Sequence, residues 1–357
     1  MTPKPQALPS IQAARGAAAL MVVIYHAERL TSLPQYVGRL PLGGLAGFGH
    51  AGVDFFFVLS GFIIHYVHCG DIGRPDRLAR YAGRRISRIY PPYWAATAIM
   101  IAAALLLHAG DAVLGWRLFF TSVVLLPSDP QPILGVGWTL QHEALFYVAF
   151  GLAIVHRWAG LGVMLAWTAA VLFVPFDGSA ASLTVLAPFN LLFAFGMAAS
   201  WFVQRSAPRH PLAWLALGTA AFLAAGLCEV AGLIPPTGWQ GRMAYGLCST
   251  ALVIGCAARD LRRGAPVPPV LVGLGAMSYS LYLVHVPVIG FATKLLAAAG
   301  VVRWAPGWAV MAAVAAVGCA AGWVFHIVAE RRLTDAARLI TTRLSAAGRS
   351  RARAGLP

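Results

Sequence analysis

The chain has 357 residues, of which 59% are hydrophobic and only 11% are charged, and its formal net charge at pH 7 is +15. Soluble domains contain roughly 45–50% apolar and about 25% charged residues, so this composition excludes an ordinary soluble protein and indicates a membrane protein. The positive charge does not indicate a nucleic-acid partner, because no nucleic-acid-binding motif accompanies it.

Ten apolar segments are long enough to cross a bilayer, which takes about 20 residues of α-helix. They cover residues 11–28, 52–69, 89–108, 138–155, 158–176, 183–204, 211–233, 243–258, 271–293 and 307–329. A further apolar piece, Leu118 to Pro127, has only ten residues and ends in a proline. The sequence therefore predicts an all-α, polytopic integral membrane protein with about ten transmembrane helices.

The distribution of cations predicts the orientation, because Lys and Arg collect in cytoplasmic loops. With ten spans and both termini cytoplasmic, 21 of the 27 cations fall on the cytoplasmic side. Counting 118–127 as a span would invert every later loop, so we predict a re-entrant or interfacial piece at the outer face. We expect one membrane domain at 1–333 and a basic cytoplasmic tail at 334–357, near anionic lipid head groups.

The first span, "RGAAALMVVIYHAERL", contains two polar residues of interest. Arg15 lies at its cytoplasmic start, and His26 follows eleven residues later, about 16 Å further along a helix. Histidine can take a proton near neutral pH, so His26 is a candidate general base. Arg15 is equally compatible with a simple positive-inside anchor.

The second span, "GVDFFFVLSGFIIHYVH", places Asp54 near its outer end, at the predicted depth of His26. A carboxylate in lipid is costly, and one beside an imidazole can orient the ring. The alternative is an acid favoured by the helix macrodipole. His65 and His68 have the spacing of a metal-binding pair, but no second ligand pair accompanies them, so we predict no metal site.

Six arginines lie in the next stretch, "RPDRLARYAGRRISRIYPPYW", which we predict to be a cytoplasmic loop. Arg84, Arg85 and Arg88 lie at the entrance of the third span, and guanidinium groups bind phosphates through paired hydrogen bonds. We therefore predict a cytoplasmic pocket for a phosphorylated ligand, with residues 90–94 as an aromatic floor. Retention of the loop inside the cell could also explain these cations.

The fourth span, "GVGWTLQHEALFYVAFG", places Glu143 one turn inside the outer face, again at the predicted depth of His26. Such an acid should face the interior of the helix bundle, as a catalytic group or in an ion pair with an arginine. A later segment, "LGAMSYSLYLVHVP", puts Ser278, Tyr282 and His285 on one helical stripe.

These five motifs, in this order, resemble the acyltransferase 3 family of integral-membrane acyltransferases. The resemblance implies transfer of an acyl group, usually acetyl, from cytoplasmic acyl-CoA to a hydroxyl of an outer-facing carbohydrate or glycolipid. It implies acyl-CoA as a co-substrate, no permanently bound cofactor, and a location in the bacterial inner membrane. The family pattern points to His26, Glu143 and Asp54 as catalytic residues. Arg15, Arg85 and Arg88 match its motifs, and with Arg84 they are the residues we assign to acyl-CoA.

One departure from the family concerns the end of the last span. Many relatives read Glu-Lys-Pro-Leu there, whereas this chain reads Glu330-Arg331-Arg332-Leu333, so no role is carried over to Glu330. The alternative function is a transporter of a polar metabolite or lipid-linked sugar. Transporters of this kind show repeated halves with broken helices, and the sequence contains no such repeat.

Overall fold

The structure is a computed structural model, which describes residues 8–106, 115–129, 131–206, 208–236, 238–262 and 264–341. Lys4, Arg263 and residues 342–357 of the predicted tail lie outside the described residues. Regular secondary structure in the described ranges is helical throughout. The helices are α1 (Pro9–Thr31), α2 (Gly52–His68), α3 (Leu78–Leu106), α4 (Trp116–Val124), α5 (Trp138–Val155), α6 (Arg157–Phe173), α7 (Ala180–Val185), α8 (Phe189–Ser206), α9 (Pro211–Val230), α10 (Trp239–Leu261), α11 (Pro269–Ala276), α12 (Ser278–Ala298) and α13 (Gly307–Phe325). A π-helical turn, His326–Glu330, follows α13, and residues 331–341 are again helical.

Eight helical segments of the described chain are long and apolar enough to cross a membrane. They are Gly47–Asp71, Pro75–Leu106, Gly135–Val155, Ala180–Ser206, Pro211–Val230, Trp239–Leu261, Ser278–Ala298 and Gly307–Thr341. The all-helical, multi-pass prediction is therefore confirmed. The count of ten also needs α1, which is long but carries several polar residues, and α6, which has only 17 residues. That count and the orientation of the termini stay predictions.

The predicted bounds agree closely for some helices and fail for α3. The fourth predicted span has the bounds of α5, but α3 begins at Leu78, well before the predicted start at residue 89. The arginines from Arg80 to Arg88 therefore lie on a helix, and the prediction of a loop was wrong for them. Pro91 and Pro92 fall inside the predicted span 89–108 and lie inside α3, as prolines in membrane helices can.

The residue contacts divide the chain into two compact units. The first unit comprises Met1–Val67 and Pro188–Trp323, and the second comprises His68–Ala187 and Val324–Pro357. In the first unit α1 packs against α10, α11 and α12, and α10 also packs against α8 and α9. In the second unit α5 packs against α3, α6 and α7.

The start of α1 is capped by a carboxylate from the end of α10. Asp260 accepts hydrogen bonds from the backbone N–H of Ser10 at 3.0 and 2.9 Å and from that of Ile11 at 3.4 Å. Arg259 also donates to the Ser10 hydroxyl at 2.6 Å. The first N–H groups of a helix have no partner within the helix, and an acid there also suits the helix dipole. The contact therefore fixes where α1 begins.

Helices α2 and α8 approach each other so closely that their contact requires glycine. A Cβ atom built on Gly196 would overlap the carbonyl oxygen of Val58, and one built on Gly61 would overlap that of Phe193. Small residues are what allow membrane helices to pack backbone against backbone.

We expect Gly196→Ala to destabilise the first unit by about 1–3 kcal/mol or more, because the new methyl group meets rigid backbone and cannot be accommodated by a rotamer change. Gly290→Ala in α12 is the matched control, since no atom lies within 4 Å of the position its Cβ would take. The midpoint of thermal unfolding in detergent measures the difference. Equal midpoints for the two variants would show that α2 and α8 do not pack at this distance.

Helix α4 is the short apolar piece that the charge distribution excluded as a span. It has nine residues, about 14 Å of helix, which is too short to cross a bilayer. The carbonyl oxygens of residues 122–124 accept hydrogen bonds from Tyr93 Oη at 3.0 Å, Trp94 Nε1 at 2.8 Å and Tyr90 Oη at 3.3 Å, in that order. These donors satisfy the C-terminal carbonyls that lipid would leave without partners. The three donors precede Leu106, the last described residue of α3, by at least twelve residues, so α4 contacts the middle of α3. The re-entrant or interfacial placement stays a prediction.

Candidate active site

His26 lies in α1, and two neighbours hold its ring. Its Nδ1 atom lies 2.9 Å from the carbonyl oxygen of Val22 and 3.1 Å from Nε2 of His285 in α12. The two imidazole rings meet edge to face, with centroids 4.9 Å apart. His285 is fully buried, and its Nδ1 atom lies 3.0 Å from the carbonyl oxygen of Leu281 and 2.8 Å from that of Tyr282.

These contacts decide which ring nitrogens carry hydrogen. Carbonyl oxygens only accept, so Nδ1 of His285 is a donor, and Nε2 of the neutral ring is an acceptor. Nδ1 of His26 is therefore the donor toward His285, and Nε2 of His26 keeps its lone pair. None of the described residues hydrogen-bonds to this Nε2 atom, and His26 is only partly buried. The pair thus presents a nitrogen that can accept a proton.

Asp54 is fully buried near the start of α2, and its partner is an arginine. Arg242 of α10 donates from NH1 to Oδ2 of Asp54 at 2.7 Å, and its guanidinium lies 4.3 Å from the ring centre of Phe189. The predicted contact in which Asp54 orients the ring of His26 is therefore not formed. A buried carboxylate needs an opposite charge, and the arginine that provides it lies far away in sequence.

A second imidazole, that of His50, lies on the other side of Arg242. Nε2 of His50 lies 3.0 and 3.1 Å from the two carboxylate oxygens of Glu229, and its Nδ1 lies 3.3 Å from NH1 of Arg242. Tyr245 donates to the same carboxylate at 2.7 Å. His50 therefore donates to the acid through Nε2 and accepts from the arginine through Nδ1.

Tyr25 lies between the two imidazole groups. Its ring centroid is 4.9 Å from that of His26 and 5.7 Å from that of His50, edge to face in both cases. The guanidinium of Arg29 lies over the same ring at 5.7 Å. The first unit thus holds one continuous polar group, which we call the histidine cluster: His26, His285, Tyr25, His50, Glu229, Tyr245, Arg242 and Asp54.

Arg15 lies three turns before His26 on α1 and, like His26, connects α1 to α12. It donates from NH2 to the hydroxyl of Ser278 at 3.0 Å and from NH1 to the side-chain oxygen of Gln12 at 3.0 Å. Helices α1 and α12 are therefore linked by polar contacts at two levels, through Ser278 and through His285. A role of Arg15 in binding acyl-CoA stays a prediction.

Glu143 belongs to the second unit, on α5. It accepts a short hydrogen bond from the hydroxyl of Tyr147, one turn later on the same helix. The guanidinium of Arg85 lies over the ring of Tyr147 at 5.7 Å, and the hydroxyl of Tyr81 donates to the carbonyl oxygen of Tyr147 at 3.1 Å. The structure thus describes Tyr147 as a hydrogen-bond partner of Glu143 and Arg85 as a neighbour of that tyrosine, and the catalytic role of Glu143 stays a prediction.

The three arginines predicted to bind a phosphorylated ligand have different surroundings. Arg84 is exposed, Arg85 lies over Tyr147, and Arg88 lines a pocket with residues 330–338. The aromatic side chains of residues 90–94 donate to α4, and their role as an aromatic floor stays a prediction. Their hydrogen bonds satisfy backbone carbonyls of α4. The sequence of residues 90–94 does not indicate these partners.

No group of three or more His, Cys, Asp or Glu side chains in the described part of the chain could hold a metal ion. His65 lies 2.9 Å from the hydroxyl of Ser200, and His68 lies 2.8 Å from the carboxylate of Asp71. Both contacts are consistent with packing roles.

Six members of the histidine cluster were missed as site residues, namely Tyr25, Tyr245, His285, His50, Glu229 and Arg242. His285 was placed on a polar stripe but given no role, and His50 was left in a loop. Glu229 is the single acid in its predicted span, which is a signal in itself, because such residues usually mark functional interiors. Arg242 was counted as an outer-loop cation because it directly precedes the predicted start of its span.

Comparison with known proteins shows a similarity to acyltransferases. A family model described as an acyltransferase domain matches residues 8–327. The exopolysaccharide production protein ExoZ of Rhizobium meliloti is 32% identical over 321 residues, which is 85% of this chain and 95% of that protein. The acyltransferase MdmB of Streptomyces mycarofaciens is 28% identical, over 92% of each chain.

A third relative, the peptidoglycan O-acetyltransferase OatA of Listeria monocytogenes, is 25% identical over 81% of this chain and 50% of that protein. No solved structure matches the chain significantly. The match to the family model covers the whole histidine cluster and also Arg85, Arg88 and Glu143.

Proposed function

The chain belongs to the acyltransferase 3 family and is a multi-pass membrane acyltransferase, and we propose a specific reaction for it. An acyl group, acetyl in the first place, passes from cytoplasmic acyl-CoA to a hydroxyl of a carbohydrate or glycolipid on the outer side of the membrane. The printed names of the relatives support this class of acceptor, since they include an exopolysaccharide production protein and a peptidoglycan O-acetyltransferase.

The observation that carries the proposal is the lone pair on Nε2 of His26. A hydroxyl is a weak nucleophile until a base removes its proton during attack. The acceptor oxygen forms a bond to the thioester carbonyl carbon, and the carbon–sulfur bond breaks. The hydroxyl proton goes to Nε2 of His26 and then to the coenzyme A thiolate, so no other reactant is needed. His285 keeps the ring of His26 in the tautomer that can accept.

Residues of the second unit support the proposal that acyl-CoA is the acyl donor. Arg85 and Arg88 present guanidinium groups there, and both lie within electrostatic range of Tyr147, the partner of Glu143. Guanidinium groups bind phosphate oxygens through strong, charge-assisted hydrogen bonds. We propose that acyl-CoA binds as a co-substrate through these arginines and that no cofactor is held permanently.

The topology belongs to the same proposal. We infer ten spans with both termini cytoplasmic in the inner membrane, which puts the arginine-rich start of α3 on the side where acyl-CoA is made. The inference rests on the charge distribution, with 21 of 27 cations on one side.

The orientation gives a direct prediction. A reporter that fluoresces only in the cytoplasm should be bright when it is fused after Pro357, and a reporter active only outside should work when it is inserted at Gly238. The physical reason is that clusters of Lys and Arg resist transfer across the membrane. The reverse pattern at both positions would overturn the ten-span topology.

Purified protein in detergent tests the reaction itself. With radiolabelled acetyl-CoA and a crude mixture of cell-envelope glycans, we expect label to appear on the glycans as an alkali-labile ester and free coenzyme A to accumulate. Uptake of a labelled sugar into protein-containing vesicles, with no consumption of acetyl-CoA, would instead favour a transporter.

A further inference from the structure

The second unit contains a pocket that is rich in arginine, and the proposed site uses only one of its residues. It lies between α3 and the helical residues 331–341. We call it the arginine pocket, and it is lined by Arg88, Glu330, Arg331, Thr334, Asp335 and Arg338.

Helix packing accounts for the position of the pocket. The side chain of Thr341 lies against Gly83, where a Cβ atom would come within 3.2 Å of it. The close approach brings residues 331–341 alongside α3. On α3, Arg80, Arg84 and Arg88 are spaced by four residues and share one helical face.

The cations of the two helices lie near one another. Arg84 is within electrostatic range of Arg80, Arg85 and Arg338. Arg88 and Arg331 make no hydrogen bond or ion pair with any described residue. Like charges so arranged repel each other and favour a bound anion.

The pocket lining has two acids, one fewer than its three arginines. Glu330 is hydrogen-bonded to His326 at 2.7 Å, and Asp335 is 3.7 Å from Arg338, in an exposed pair. Exposed pairs at that distance contribute little. The Thr334 side chain adds a hydroxyl to the lining, which can donate to a phosphate oxygen.

We propose that the arginine pocket binds phosphate groups of the acyl-CoA donor, with Arg331 and Arg338 acting together with Arg88. The inference rests on the proposed function and extends it to residues of the C-terminal helix that the family motifs do not include. The pocket offers several guanidinium groups around one space, which suits a ligand with several phosphates. A phospholipid head group shares the phosphate chemistry, so the experiment includes both sources.

The experiment compares acetyl-CoA binding to the full chain in neutral detergent by isothermal titration calorimetry. The test variant is Arg331→Gln with Arg338→Gln. The matched control is Arg332→Gln, which removes an exposed arginine from the same helix but outside the pocket. We expect the double variant to bind roughly 10-fold more weakly or worse, and the control to bind as the unmodified protein does.

Two further measurements keep the proposal open to failure. Lysine at both positions should give intermediate affinity, because the charge remains but the planar fork is lost. Addition of phosphatidylglycerol to the micelles should not displace acetyl-CoA from the unmodified protein.

Each contrary outcome has its own meaning. Equal affinity in a well-folded double variant would overturn the inference and leave the proposed function intact. Loss of phosphatidylglycerol binding without loss of acetyl-CoA binding would assign the pocket to lipid and also overturn the inference. Absence of acetyl-CoA binding by the unmodified protein would remove the donor from the proposed function, and the inference with it.

Discussion

Replacing His26 by alanine should lower the rate of acyl transfer by about 10²–10⁴-fold, because that is the usual contribution of a general base. The variant should still insert into the membrane and still bind acetyl-CoA, since the contacts of the His26 ring with described residues lie within the first unit. The initial rate of label transfer to glycan, at saturating acetyl-CoA, measures the effect. His65→Gln is the matched control, because His65 is another histidine of the first unit but lies against Ser200.

Substitutions of His285 test whether this residue holds His26 in the tautomer that can accept a proton. His285→Gln keeps an oxygen that can accept from Nδ1 of His26, whereas His285→Leu keeps none. We therefore expect the glutamine variant to retain much more activity than the leucine variant, with little change in KM for either. Normal turnover of a well-inserted His26→Ala protein would remove His26 from the mechanism and make Glu143 the candidate base.

The second large effect concerns stability. Arg242→Met should destabilise the first unit by about 3–5 kcal/mol, because Asp54 is fully buried and would lose its countercharge. The Oδ1 atom of Asp54 has no hydrogen-bond partner among the described residues, and Arg242 is bound to Oδ2. Chemical denaturation in detergent measures the loss.

Two comparisons separate the loss of the ion pair from the loss of an arginine. Arg303→Met removes an exposed arginine and should change stability by less than about 0.5 kcal/mol. Adding Asp54→Asn to Arg242→Met removes the unpaired charge, so the double variant should regain part of the stability that the single variant lost. An Arg242→Met protein as stable as the Arg303→Met control would show that the buried pair is not formed.

The sequence allowed the depth of polar residues in the membrane to be predicted, but not their partners. His26, Asp54 and Glu143 could be recognised because a charged or titratable residue in an apolar span is costly. Their depth follows from their position in a span, since each residue advances a helix by about 1.5 Å. The lateral order of the helices does not follow from span positions. Asp54 was therefore assigned to His26, although its partner, Arg242, is 188 residues away in the chain.

The failures at the ends of helices have a similar cause. α5 was predicted with its observed bounds, since Gly137 directly precedes it and His156 and Arg157 directly follow it. α3 begins at Leu78, well before its apolar run. Hydropathy therefore predicted the apolar part of α3 but not its arginine-bearing start. The arginine pocket lies on that start, which explains why Arg331 and Arg338 could not be linked to Arg88 in advance.

The carboxylate cap on α1 has a consequence for how the protein is made. Asp260 follows Ser10 by 250 residues, and His285 follows His26 by 259. At about 5–20 residues per second, the ribosome adds the cap and the second histidine roughly 10–50 s after the first helix leaves it. During that interval α1 lacks both its cap and the partner of its histidine. A chain whose translation stops before α12 lacks His285, so the contact between the two imidazole rings that orients His26 cannot form in it.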